Sequence, residues 1–267
     1  MSNIETDQSS AALRAIAIME AVARAADPLS LTEIMAATGL PKPTVHRTLA
    51  LLESAGILLR EPQGKRYAPG PRLSALALDV VSGAAWRAPR HAILQAAVDE
   101  IGETCNLTML DGTEVVYLDR VEAAWPLRLH LQSGSRVPAH CSASGKLLLA
   151  LMPTRSRRRI VDALPLREFT PKTITDRTAF EDTLKRIQKD RYSTDNEEYL
   201  AGMICVAVPV ENDQRSVPAA LAVHAPATRM NLAKALGHLP ALRRAAARLV
   251  DTFPDAPDSQ APTSRKG

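Results

Sequence analysis

Residues 30–67 constrain the fold more tightly than any other part of the chain. Ser30-Leu31-Thr32-Glu33 is a capping box, in which the Ser30 hydroxyl and the Glu33 carboxylate satisfy each other's free backbone donors and so start a helix. Gly39 supplies a left-handed stop after about Thr38. The turn Leu40-Pro41-Lys42 leads into a further helix that ends at Gly56. Residues 57–60 and 66–68 read as two short strands around Glu61-Pro62-Gln63-Gly64-Lys65, a hairpin with a polar, basic tip. An amphipathic helix over about 10–25 precedes the box, with Leu13, Ile16, Met19 and Val22 at three-to-four spacing. Helix, helix–turn–helix and hairpin, in that order, predict a winged helix-turn-helix over 10–70.

The helix before Gly56 has two faces. With Val45 set at zero, Leu49 and Leu52 fall within about 40° of it at 100° per residue, and Arg47 lies nearly opposite with Thr44 and His46 beside it. One face can anchor on the other helices while the other enters a major groove. Arg47 suits direct readout, because a guanidinium donates two parallel bonds to guanine. Lys42 and Pro43 sit at the helix start near phosphate, and Thr44 suits a phosphate or a thymine methyl. Gln63, Lys65 and Arg66 form the wing tip, along the backbone or in the minor groove. Charge agrees: between Lys42 and Arg66 five basic residues face two acidic ones, where a DNA surface needs positive potential. The net charge of +4 says less.

The remaining chain is long enough for a second domain, since 267 residues exceed one average domain. No uncharged apolar run reaches about 18 residues, so no membrane span is expected. The opening MSNIETDQSS lacks the basic and apolar regions of a secretory signal, which points to the cytoplasm. Cys105, Cys141 and Cys205 form no CxxC pair or zinc-type spacing, so reduced, buried thiols and no cofactor are expected. Leu73, Leu76, Ala77, Val80 and Val81 give an amphipathic linker helix within 71–87, whose natural partner is the same helix of a second subunit.

Residues 88–253 alternate helices and strands. A helix over about 89–104 leads to strands at 107–110 and 115–119 and an alternating strand at 127–131. Helices follow at about 143–152, 154–163 and 176–190, then strands at 206–210 and 219–223, neighbours through a turn at Gln214. The last helical stretch is kinked or divided at Pro240. Residues 254–267 read as a disordered tail. The class is α+β, with an antiparallel sheet in the second domain.

Three long motifs are familiar together. Leu31-Thr32-Glu33-Ile34 through Gly39-Leu40-Pro41-Lys42-Pro43-Thr44-Val45-His46-Arg47 resembles the DNA-binding half of the IclR family of transcriptional regulators. Gly134-Ser135-Arg136-Val137-Pro138-Ala139-His140-Cys141-Ser142-Ala143-Ser144-Gly145-Lys146 resembles the family's central signature, and Asp195-Asn196-Glu197-Glu198-Tyr199-Leu200-Ala201-Gly202-Met203-Ile204-Cys205 its later one. The resemblance spans about residues 10–252. It implies a GAF-like effector-binding domain, operator DNA as one partner, a small organic-acid effector as another, and a homodimer or tetramer. It also implies a pocket. Ala143 and Ser144 match positions whose amides hold a carboxylate at a helix start, where unpaired donors and the helix dipole favour an anion. Asp195 and Cys205 match polar wall positions, and Leu129 and Val137 the apolar wall. Where members that bind small keto acids have paired strand serines, this chain has Ala222 and His224. Two hydroxyl donors are lost, which favours a larger or aromatic acid, with His224 available to its carboxylate.

Rival readings have thinner support. Ser142-Ala143-Ser144-Gly145-Lys146 lacks the leading glycines of a phosphate loop, and Leu147 stands where a magnesium-binding hydroxyl belongs. No GxSxG, HExxH or dinucleotide fingerprint is present, so an enzyme is not expected. A metal-responsive regulator using His140, Cys141, Cys205 and His224 would need the fold to gather them. The run Arg155-Ser156-Arg157-Arg158-Arg159 spreads around a helix and reads as a solvated face.

Overall fold

The computed structural model describes residues 10–25, 27–61, 65–125, 131–212 and 217–253. The chain divides into two compact units. The first runs through Gly83 and takes in 111–113 and 152–165; the second holds the remainder.

In the first unit, α1 (Ala11–Arg24), α2 (Leu31–Thr38) and α3 (Lys42–Ser54) surround one apolar cluster. Ile18 and Val22 of α1, Ile34 of α2, and Val45, Leu49 and Leu52 of α3 meet there with Leu58 and Tyr67. The capping box forms as read: Ser30 Oγ accepts from the Glu33 amide at 3.3 Å, and the Ser30 amide donates to Glu33 at 2.7 Å. Gly39 adopts φ 68°, and its N–H donates to the Met35 carbonyl to close α2.

The wing has three strands rather than two. β1 (Leu29–Ser30), β2 (Leu58–Arg60) and β3 (Arg66–Pro69) lie in the order β1-β3-β2, all antiparallel. Two residues beside a helix cap carry too little pattern for β1 to be legible. The linker helix α4 (Pro71–Ser82) buries none of its residues, and Leu76 and Val80 are more than half exposed.

The second unit is built on a six-stranded antiparallel sheet. Its strands are β4 (Thr104–Asp111), β5 (Glu114–Val121), β6 (Arg136–Pro138), β7 (Ser193–Asn196), β8 (Met203–Val210) and β9 (Ala219–Pro226), in the order β6-β5-β4-β9-β8-β7. β8 and β9 are neighbours, as expected, while the Gln214 turn and all but Leu131 of the strand expected at 127–131 lie outside the described residues. β6 and β7 were not expected; they are short edge strands in loop-like sequence.

Helix α5 (Ala84–Ile101) begins earlier than the sequence indicates and carries Pro89 in its interior. α6 (Ala143–Leu151) lies against β8, β9 and α8 (Arg177–Asp190), and every residue from Ala143 to Ala150 is buried. α7 (Thr154–Ala163) follows it. The final stretch is divided into α9 (Leu232–Gly237) and α10 (Leu239–Val250), with Pro240 in the first turn of α10, where its missing N–H costs nothing.

Candidate functional site

In the first unit, α3 presents Lys42, Pro43, His46 and Arg47 as exposed side chains, with Thr44 half-buried. Val45 and Leu49 anchor the opposite face with no exposure, as the angular argument requires. Lys65 is exposed and holds φ 53°, the left-handed conformation of a tight turn. Gln63 lies outside the described residues. Arg66 behaves differently from Lys65. Its guanidinium donates to the Pro28 carbonyl at 2.7 Å and pairs with Glu33 at 3.1 Å, so it ties the wing to α2. Sequence alone grouped the two as equals.

In the second unit, one cavity gathers most of the expected pocket residues. Val137, Ala143, Ser144, Asp195, Cys205 and His224 all line it, and its empty volume with the open mouth is about 510 Å³. Leu129 lies outside the described residues. Ala222 is a correction: it sits opposite Asn106 and Ala207 on the sheet, fully buried, and its single methyl does not reach the cavity.

The floor of the cavity is a cross-strand row. Asp195 of β7 pairs with Cys205 of β8, and Cys205 with His224 of β9. Directly opposite residues share a face, so all three point the same way. Asn106 and Thr108 of β4, Tyr117 of β5, and Tyr199 and Met203 within the later signature also line the cavity and were not expected there. Asn106 and Thr108 left a signal: they are polar residues at alternate positions of a strand that buries Cys105 and Leu107 between them.

The wall chemistry is mostly neutral. None of the described lining residues is a lysine or an arginine. Among the described residues the amides of Ala143 and Ser144, at the start of α6, meet no acceptor, whereas the Gly145 amide is taken by the Ser142 hydroxyl at 3.2 Å. Burial pushes the Asp195 carboxyl up to about 7, against the pull of Lys146 and of the Glu198 and Tyr199 amides that one of its oxygens accepts. Burial, with Arg120 and Arg229 near, pushes the His224 imidazole down to about 3. Burial also raises the Cys205 thiol well above its ordinary value.

Behind the cavity, Lys146 of α6 and Glu198 form a buried ion pair. The Glu198 carbonyl accepts from the Thr173 hydroxyl at 2.6 Å, and the Glu197 carbonyl from Thr170 at 2.6 Å. This segment is therefore fastened between Asp195 and Tyr199, which both line the cavity. His140 bonds the Arg167 carbonyl at 2.8 Å and faces Phe169 rather than His224. Among the described residues no group of three or more His, Cys, Asp or Glu stands where it would hold a metal. Nor is any described helix long and apolar enough to cross a membrane.

Two family models match the chain in succession: the IclR helix-turn-helix domain over residues 11–62 and the bacterial transcriptional regulator IclR C-terminal domain over 79–252. The chain belongs to the IclR family. It is a transcriptional regulator with a DNA-binding helix-turn-helix and an effector-binding domain, and its relatives are regulators rather than enzymes. It is 50% identical over 245 residues to the probable transcriptional regulator SauR of Cupriavidus necator, covering 92% of this chain and 97% of that one. The crystal structure of the Thermotoga maritima IclR superposes with a TM-score of 0.60 at 27% identity, covering 89% of this chain and 96% of that one. The inducer-binding domain of a double mutant of PobR from Acinetobacter, in complex with 3-hydroxybenzoic acid, matches at TM-score 0.56 and 30% identity, over 61% of this chain and 95% of that one.

Proposed function

We propose that this regulator's operator affinity is set by a small organic acid bound in the cavity between α6 and the row Asp195–Cys205–His224. The observation that carries the reading is that six of the eight residues assigned to a pocket from sequence line one cavity, with two acceptor-free helix amides at its edge. Those amides suit a carboxylate, because the donors and the dipole at a helix start favour negative charge. A protein 30% identical to this chain is named for a complex with an aromatic hydroxy acid, which supports an effector of that size.

On the DNA side, Arg47 reads a base in the major groove, with Thr44, His46, Lys42 and Pro43 around it and Gln63 and Lys65 along the backbone. Arg66 holds the wing in place. A second copy covers the exposed apolar face of α4, giving a dimer, or a tetramer of two such dimers, that works in the cytoplasm. Effector and operator are then coupled by population shift. The acid prefers one arrangement of the paired linker helices, and that arrangement sets the separation of the recognition helices, which must match half-sites about 34 Å apart or a multiple of it.

The test is a footprint of the full chain on the region upstream of its own gene, repeated with benzoate, 3-hydroxybenzoate, hexanoate and pyruvate. A protected site whose affinity shifts about 5- to 150-fold with one of the larger acids is the expected result. A response to pyruvate alone overturns the preference for a larger acid, and a response to none of the acids overturns the effector reading.

A further inference from the structure

We propose that His224 decides which acids the cavity accepts, acting as an uncharged donor whose single free N–H is fixed by Asn106. The inference rests on the acid-effector reading above and names the second group that such an acid must carry.

His224 is only 7% exposed, and its Nδ1 lies 2.9 Å from Nδ2 of Asn106. An amide nitrogen has only protons to offer, so Nδ1 is the acceptor and the ring's own proton sits on Nε2. Nε2 finds no partner among the described residues, although the ring lines the cavity. One donor that faces the cavity is thus left for whatever enters. Burial and the nearby Arg120 and Arg229 oppose a second proton on the ring, so His224 meets an incoming ligand as a neutral imidazole.

The rest of the lining narrows the ligand further. With no lysine or arginine among the described lining residues and Asp195 two strands from His224, a second carboxylate has no cation in the lining to pair with directly. A plain hydrocarbon acid that displaces the water from the cavity leaves Nε2–H without an acceptor, and an unmade bond there costs more than a made one gains. The class that satisfies both constraints is a monocarboxylate with a second, uncharged acceptor oxygen: a hydroxyl, an ether or a ketone.

Calorimetric titration of the full chain with two matched series tests this: benzoate, 3-hydroxybenzoate and isophthalate, then hexanoate, 6-hydroxyhexanoate and adipate. Wild type should bind the hydroxy acid of at least one series about 5- to 100-fold more tightly than its unsubstituted and dicarboxylate partners. His224→Phe should bring the hydroxy and unsubstituted acids within about threefold of each other while still binding the unsubstituted one, which also shows that the pocket has folded. His224→Gln, which keeps an N–H donor, should retain part of the preference. A wild type that prefers the plain acid or the diacid, or a His224→Phe variant that keeps the full preference, overturns this inference and leaves the acid-effector reading standing. Binding of none of the six acids overturns both.

Discussion

Glu33 and Arg66 are joined at 3.1 Å, and the same Glu33 carboxylate accepts the Ser30 amide and hydroxyl at 2.7 Å each. One side chain therefore caps α2 and holds the wing strand to it. Ser30→Ala should cost about 1 kcal/mol in urea unfolding, the usual worth of a cap. Glu33→Ala should cost more than Ser30→Ala, because it also releases Arg66, and its effect should not add to that of Arg66→Ala. The Ser30 bonds first, and then Arg66, hold the Glu33 carboxyl below its ordinary value. Its contribution is thus present above the ordinary carboxylate range and is lost as pH falls through its folded value. Additive losses in the double variant would show that cap and wing are independent.

Arg47→Ala should weaken operator binding by about 1–3 kcal/mol and relax base preference at one position per half-site. Lys65→Ala should weaken all DNA alike and reduce the salt dependence by about one phosphate contact. Competition binding against a randomised operator library, run at several salt concentrations, separates the two. An unchanged sequence preference in Arg47→Ala would remove it from the recognition surface.

Asp195 and His224 bend the pH–stability curve in opposite directions. The Asp195 carboxyl rises from 3.8 to about 7 on folding, so its folded state holds a proton that the unfolded chain has lost, and stability falls as pH rises through that window. The His224 imidazole falls from 6.5 to about 3, so its contribution is intact above 6.5 and is lost on acidification. Between about pH 4 and 6.5 the two slopes offset each other. Asp195→Asn keeps an acceptor for the Glu198 amide and removes one slope. The variant should gain on wild type above pH 7 and lose stability more steeply on acidification, as read by thermal melts across pH 4–8. Parallel curves for the two proteins would contradict this.

Gly145→Ala should be costly although alanine favours helices. A Cβ there would lie 2.3 Å from the backbone Cα and carbonyl oxygen of Ala139, a contact that no side-chain rotation relieves. Overpacking of this kind costs about 1–3 kcal/mol, and the backbone shift would displace the Ala143 and Ser144 amides. Loss of effector response with the operator affinity of the free protein retained is the expected pattern. Full response would mean that the loop yields without moving the helix start.

The first unit was legible nearly to the residue because its signals are local: a capping box, a left-handed glycine and a three-residue apolar face on α3. β1 was missed because two residues carry no periodicity, and the separate duty of Arg66 was hidden because Pro28 and Glu33 lie 38 and 33 positions away in sequence. In the second unit the pocket residues came from family motifs, whereas Asn106 and Tyr117 sit on strands whose facing depends on a register that sequence does not display. Ala222 marks the opposite error: it occupies the anticipated face but stops at its methyl, short of the opening.

The complete enclosure of α6 has a consequence for how such a sensor can change. From Ala143 to Ala150 each position is committed to a neighbour, so substitution there threatens the scaffold before it alters recognition. New chemical tastes fall more readily to Asn106, Thr108, Tyr117, Tyr199 and His224, which line the cavity from outside that central rod. On the function proposed above, a fixed helix start facing a revisable wall would let one architecture serve many metabolites.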